Sequence, residues 1–432
     1  MPRKDLLLSF YGDDFTGSTD AMESLARRGV RTVLFTDPPT ADQLAQYPGL
    51  TAFGIAGLTR SLAPEAMEKV LRPAFKSLRA NGSPIVHYKV CSTFDSSPTV
   101  GSIGRVIDVG LDVFGRSIVP VLAAAPALGR YSAFGNLFAR CGGESEPYRL
   151  DRHPSMSRHP VTPMNEADIG LHLSKQTKQK IGLLDLLKLE QTDSEIRGHV
   201  DGLIADKAKV ALIDALYDRH LEKIGALLAS YADGQQPLFV VGSSGIEAAM
   251  CAHWRFPAAE LSQVKYRGPI VALCGSCSPV TAGQIQWARE HGFAEIAIDI
   301  RELSQATIEE AATRAIAAIK EKRSVVIHTT ADKERVTDAA APVAPALAAI
   351  VRGILDRQPV VRMLVAGGDT SSGIARGLGI VSVEMIGELT RGSPLCLAHA
   401  PGSPADGLEV TFKGGQIGNR DFFGVVERGP VV

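Results

Sequence analysis

The chain has 432 residues, 45% hydrophobic and 22% charged, which is longer than one hydrophobic core usually supports and predicts two α/β-sized domains. Lys plus Arg total 46 against 47 Asp plus Glu, a net charge of −1, and the basic residues are scattered. That balance excludes the electrostatic footprint of a nucleic-acid or anionic-membrane binder, and the composition excludes a disordered chain, so a small molecule is the expected partner.

The opening MPRKDLLLSFYGDD returns to acidic residues too soon for a signal-peptide core, and no stretch approaches the length of a membrane span, so a cytoplasmic location is expected. Six cysteines dispersed over the chain suit a reducing compartment. Cys274-Gly-Ser-Cys277 is the one CxxC, with no second pair to complete a zinc site, and reads as small residues lining a turn.

Short apolar runs alternate with amphipathic helical patterns from end to end, which predicts an α/β fold of two domains, each a mostly parallel sheet flanked by helices. Predicted strands are Leu6 to Phe10, Thr32 to Phe35, Ile85 to Lys89, Val119 to Ala123, Val210 to Ile213 and Leu238 to Val241. Further strands are predicted at Ile270 to Leu273, Ile296 to Ile298, Val325 to His328, Met363 to Ala366, Leu395 to His399 and Val410 to Phe412, the last two pairing antiparallel. Residues 251–267 carry no clear strand and form the predicted linker between an N-terminal domain (1–250) and a C-terminal one (268–432).

The first chemistry-bearing segment, LLLSFYGDDFTGSTDAMESLARRG, reads as strand, tight turn and helix. Asp13 and Asp14 stand at the carboxyl end of the strand, where open α/β sheets bind ligands. They are candidates for orienting substrate hydroxyls, holding a cation or taking a proton; a helix cap would employ one of them, or Ser18 or Thr19, instead. The second segment, HYKVCSTFDSSPTVGSIG, runs a strand into a loop of hydroxyls (Ser92, Thr93) with Lys89 and Asp95 nearby, a set suited to a carboxylate or a phosphate. A helix start at Ser96 or Ser97 and a solvated Lys89 are the plainer alternative.

Residues 142–165 form a Pro-rich stretch with Arg and His but no periodicity, a long ordered loop or a lid. With Arg130 just upstream, Arg152, His153, Arg158 and His159 make a cationic wall over an acidic substrate, or the two histidines serve as metal ligands, a weak signal at their spacing. In the second half, CGSCSPVTAG and VAGGDTSSG are each strand, small-residue turn and helix, and TFKGGQIG adds Lys413, Gly414 and Gly415 after a last strand. Backbone N–H groups freed at such turns accept phosphate oxygens, so three of them favour nucleotide binding. None is a Walker A loop and none matches GxGxxG.

Taken together the segments resemble the four-carbon acid sugar kinase family, long described as a domain of unknown function. The resemblance rests on Gly12-Asp13-Asp14-Phe15-Thr16-Gly17, Gly275-Ser276-Cys277-Ser278 and Gly367-Gly368-Asp369-Thr370, in that order along the whole chain. It implies a sugar-binding N-terminal domain, a nucleotide-binding C-terminal domain, and an ATP- and Mg²⁺-dependent kinase of a small acid sugar. Ser276, Gly367, Gly368, Asp369, Thr370, Lys413, Gly414 and Gly415 would contact ATP; Asp13, Asp14, Lys89, Ser92, Thr93, Arg130, Arg152 and Arg158 would contact substrate, with Asp13 and Asp14 the catalytic candidates. Cys91-Ser92-Thr93-Phe94-Asp95-Ser96 departs from the family's D-S-T-x-R-G pattern, and with the 149–168 loop it looks more like the branch acting on 3-oxo-isoapionate than the tetronate and 3-oxo-tetronate branches. A nicotinamide-dependent hydroxy-acid dehydrogenase and a non-enzymatic acid-binding protein are the alternatives, and a homodimer is a common state for such enzymes.

Overall fold

Leu8–Gly12, the first apolar run, is buried along its whole length, as a strand covered by helices on both faces must be. In the computed structural model, which describes residues 5–141, 146–159, 161–232, 234, 236–275, 278–329 and 343–430, the other central strands behave alike. The chain divides into two units: Met1–Asp13, Ser24–Thr32 and Pro38–Ala259 form the first, and Asp14–Glu23, Val33–Asp37 and Glu260–Val432 form the second.

The first unit carries a parallel sheet in the order Ala52–Ala56, Leu8–Gly12, Ile85–Lys89, Leu238–Gly242, Val119–Leu122, Val210–Ile213, Ile181–Leu184. Helices Pro64–Asn81 and Ile103–Phe114 cover it, and the rings of Phe75, Phe114 and Phe239 pack with centroids 5.0–5.6 Å apart. Three short antiparallel strands, Arg130–Ala133, Asn136–Arg140 and Pro147–Arg149, form a separate sheet where none is predicted.

In the second unit, Ala294–Ile298, Val325–Thr329, Val271–Cys274, Arg362–Ala366 and Glu409–Lys413 lie parallel in that order. Ser393–His399 then pairs antiparallel with Glu409–Lys413, as predicted for the last two runs. An unpredicted strand, Ser382–Thr390, follows antiparallel and pairs in turn with residues 33–35. The N-terminal segment therefore contributes both a strand and most of the Phe15–Ala26 helix to the second unit. The segment 251–267 begins as the last turn of helix Gly245–Trp254, and the chain passes finally into the second unit after Ala259.

Candidate active site

In the first unit three adjacent strands end side by side: Gly12 is level with Ala56 and with Lys89. Past those ends Asp13 donates its N–H to the Lys89 carbonyl, and Arg60, in the short 3-10 turn Thr59–Ser61, donates its N–H to the Asp13 carbonyl. The Arg60 guanidinium returns to grip Asp13 through both oxygens, Nε to Oδ2 at 3.0 Å and Nη2 to Oδ1 at 2.7 Å, a bidentate fork. Arg60, which the sequence reading did not single out, is the side chain that fixes Asp13. Its strand, Ala52–Ala56, carries a glycine and alanines rather than a run of large apolar residues.

The loop after Lys89 carries a chain of small polar groups. Cys91 Sγ is 3.0 Å from Thr93 Oγ1, and Thr93 donates to Asp95 Oδ1 at 2.6 Å. Burial, then the charge of Asp95, pushes the Cys91 thiol up to about 11, so it remains protonated. Burial works against the Asp95 charge, but the Arg60 guanidinium, the Thr93 hydroxyl and His159 outweigh it and hold this carboxyl below its ordinary range. Gly101 permits the approach of this loop to the Arg60 turn: it adopts φ +60°, and a Cβ there would meet the Arg60 carbonyl oxygen at 2.5 Å. Lys89 is buried and donates to the Val90 carbonyl at 3.1 Å, while Ser92 sits half-buried in the turn. Ser96 contacts His172 at 2.8 Å and accepts from Gln176 at 3.0 Å, which braces the loop.

The predicted cationic wall is only partly assembled. Arg130 directs Nη1 at the Leu128 carbonyl of the preceding turn, at 2.7 Å, and at the Arg140 carbonyl of the small sheet, at 3.3 Å. His153 accepts two backbone N–H groups at Nδ1, from Ser155 and Met156, so that nitrogen is committed to the turn. Arg152 and Arg158 are exposed, and the charge of His159 helps hold Asp95 ionised. Among the described residues no group of three His, Cys, Asp or Glu side chains forms a metal centre.

The second unit repeats the arrangement with different residues. Cys274 is level with Ala366, and Ala366 with Lys413, so the three glycine turns leave adjacent strand ends. Gly275 donates to the Ala366 carbonyl and Gly367 to the Lys413 carbonyl, tying the turns together. A Cβ on Gly275 would lie 2.3 Å from Thr370 Oγ1, and Gly367 adopts φ +114° as it opens helix Gly368–Gly377. Ser276 and Cys277 lie outside the described residues. Asp369 is exposed in the first turn of the Gly368–Gly377 helix, with Thr370 buried behind it.

Lys413 is 0% exposed, and among the described residues its hydrogen-bond partner is the Thr281 hydroxyl, 3.0 Å away, which passes its own proton to the Gly415 carbonyl. No carboxylate pairs with it there, and burial pulls its pKa down to about 8. A buried ammonium surrounded by glycine turns and helix N-termini is a site short of an anion. Asp14 belongs to this unit rather than with Asp13. It caps the Phe15–Ala26 helix, accepting from the Gly17 N–H at 2.6 Å and the Thr16 hydroxyl at 3.1 Å, and its Oδ2 lies 3.0 Å from where a Gly368 Cβ would stand.

One set of strand ends carries paired polar and charged side chains and the other carries glycine turns beside a buried lysine, an arrangement of the kind a small-molecule kinase needs. A sugar-binding N-terminal domain model matches residues 8–250, and a nucleotide-binding C-terminal domain model matches residues 271–423. The chain is 44% identical to a 3-oxo-isoapionate kinase of Paraburkholderia graminis, over 98% of this chain and 94% of that one. It is 31% identical to a 3-oxo-tetronate kinase of Pseudomonas savastanoi pv. phaseolicola, with 96% of each chain covered. A crystal structure from Salmonella typhimurium LT2 that carries a tRNA synthase name superposes with a TM-score of 0.78 at 26% identity, covering 96% of this chain and 97% of that one. The chain belongs to the four-carbon acid sugar kinase family, and it is a phosphotransferase of that family's kind. The curated relatives are kinases, which leaves the dehydrogenase alternative without support. Among the described residues no helix is long and apolar enough to cross a membrane.

Proposed function

We propose that this enzyme transfers the γ-phosphoryl group of ATP to a hydroxyl of 3-oxo-isoapionate, with the first unit holding the acid sugar and the second the nucleotide, in the cytoplasm. The observation that carries the reading is the contrast between two equivalent sets of strand ends: one bears Asp13, Arg60, Lys89 and Asp95, the other bears glycine turns around a buried ammonium with no carboxylate partner among the described residues. The 44% identity to a 3-oxo-isoapionate kinase favours the branched acid over the tetronates. In this reading residues 1–250 and 268–432 form the two functional domains, joined by 251–267.

ATP supplies the phosphoryl group that a substrate hydroxyl attacks. Lys413, with the N–H groups of Gly368 at the helix start and of the Gly414-Gly415 turn, holds the phosphate oxygens and neutralises their charge, Gly367 letting the backbone approach; Ser276 and Thr370 are the further nucleotide contacts. Phosphoryl transfer asks for positioning more than for covalent chemistry, so the fixed frame of these turns is itself the contribution. Mg²⁺ suits the reading as a companion of the nucleotide phosphates, whose charge a divalent cation neutralises. Asp14, and Asp369 at the helix start, are the acidic groups of that region.

On the substrate side, Lys89, Arg60 and the Ser92 and Thr93 hydroxyls suit a carboxylate with neighbouring hydroxyls, and Asp13 is fixed by Arg60 to accept from them. Arg152 and Arg158, exposed on the adjoining loop, supply long-range attraction for an acid. The test is a coupled ADP-release assay with Mg-ATP across 3-oxo-isoapionate, tetronates and 3-oxo-tetronates. The reading expects the highest kcat/KM on 3-oxo-isoapionate; highest turnover on a tetronate moves the enzyme to the other branch, and silence on all of them ends the acid-sugar assignment.

A further inference from the structure

Of the carboxylates at these strand ends, Asp13 and Asp14 are engaged by the protein itself. Asp13 gives both oxygens to Arg60, and Asp14 gives its oxygens to the Gly17 N–H and the Thr16 hydroxyl. Asp95 differs. A carboxylate accepts up to about four hydrogen bonds, and among the described residues Asp95 accepts only from the Thr93 hydroxyl and its own backbone N–H. It does so with just 7% of its surface exposed, in a place where unsatisfied acceptor capacity is costly.

Three features hold it in that state. The protonated Cys91 thiol is in position to donate to Thr93 Oγ1, so the Thr93 hydroxyl is turned toward Asp95 Oδ1, and the plane of the carboxylate is fixed from one side. The preceding Phe94 has φ +56°, the left-handed region that a bulky residue avoids, while its ring is fully buried. Backbone held against its preference while a buried ring pins it is the mark of a segment whose shape serves something other than stability. Arg60 and His159 keep Asp95 charged without bonding to it within hydrogen-bond distance, so its remaining acceptor positions stay available.

We propose that Asp95 is the substrate-recognition carboxylate of this enzyme, accepting a hydrogen bond from a hydroxyl of the bound acid sugar and selecting among acid sugars by where they place that hydroxyl. The inference rests on the acid-sugar reading above and narrows it to one side chain. It also gives the Cys91-Ser92-Thr93-Phe94-Asp95 loop a purpose: the thiol and hydroxyl aim the carboxylate, and Phe94 anchors it. A site built to bind a hydroxyl through a buried charge rejects a molecule lacking that hydroxyl strongly, because the charge is then left without its partner.

The experiment is Asp95→Asn in the full-length enzyme, assayed by ADP release with saturating Mg-ATP, on the best acid sugar and on its mono-deoxy analogues. The amide keeps the shape and still accepts from Thr93, so the fold is retained, which the thermal unfolding midpoint checks. Expected is a drop in kcat/KM for the acid sugar of roughly 10²-fold, with KM for ATP within about twofold. One deoxy analogue should be used equally well by wild type and variant, since the hydroxyl and the carboxylate act as one pair. Should the amide unfold the protein, Asp95→Glu, which keeps the charge and moves it by one methylene, is expected to lose the acid sugar in the same way. A variant within threefold of wild type on every substrate overturns the role of Asp95 and leaves the kinase reading standing. Wild type that releases no ADP with any acid sugar overturns the acid-sugar reading, and this inference with it.

Discussion

Both units place three polar segments at the ends of three adjacent parallel strands, and they fill them with opposite materials. In the first unit the ends carry side chains: Asp13, Arg60, and the Cys91-Thr93-Asp95 chain, each oriented by another polar group. In the second they carry bare backbone at Gly275, Gly367 and Gly414, with one buried cation, Lys413, at the end of the last strand. The difference teaches what each ligand must supply. A site of paired charges discriminates by hydrogen-bond geometry and suits a small molecule with many hydroxyls. A site of backbone donors around an uncompensated ammonium asks for negative charge and little else, which suits phosphates.

The sharpest way to break this comparison is Lys413→Met. Removing the cation should lower kcat/KM for ATP on the order of 10³-fold, while the melting midpoint does not fall, since a thioether of similar length replaces a buried charge that has no partner carboxylate among the described residues. A midpoint that drops along with activity would make Lys413 a structural residue. Asp14→Asn comes next: asparagine caps a helix as well as aspartate, so the Phe15–Ala26 helix persists, and turnover is expected to fall by roughly 10²-fold with ATP binding retained. Unchanged turnover removes Asp14 from the chemistry.

Arg60→Lys tests the other unit. An ammonium cannot reproduce the two-point grip on Asp13, so KM for the acid sugar should rise about tenfold in a steady-state assay, with KM for ATP unchanged. Stability should shift by less than about 1 kcal/mol because lysine keeps a positive charge beside Asp13 and the Arg60 side chain is 27% exposed to solvent. The smallest effect is the pH dependence. Lys413 loses its proton near pH 8 in the folded chain, below the ordinary value of 10.5, so KM for ATP should climb as pH rises through about 8 in wild type and stay level in Lys413→Met. Stability runs the other way: the penalty of the buried ammonium is full below pH 8 and fades as the pH approaches 10.5, which a pH series of unfolding midpoints against the methionine variant would record.

What was legible in the sequence follows the physics of burial. Strands covered on both faces are continuous apolar runs, and Thr32–Phe35, Ile85–Lys89 and Val210–Ile213 match their predicted bounds. Ala52–Ala56 escaped notice because Gly54 interrupts it, yet Gly54 is there to admit the Phe10 ring, which would come within 2.1 Å of a Cβ. Ser382–Thr390 escaped because it is only partly buried and so shows no continuous apolar run. The glycine turns were visible as motifs. The partnership of Arg60 with Asp13 was not, since it joins residues 47 apart in sequence through strand adjacency alone. Nor was the parting of two consecutive aspartates, Asp13 to the charged set and Asp14 to the glycine set.

The central claim is that the two ligands are held by separate sets of residues, and the direct test is calorimetry of ATP and of 3-oxo-isoapionate on full-length wild type, Lys413→Met and Asp95→Asn. The account predicts that Lys413→Met loses ATP and keeps the acid sugar, and that Asp95→Asn loses the acid sugar and keeps ATP. Either variant losing the other's ligand instead, or both retaining both, would contradict it.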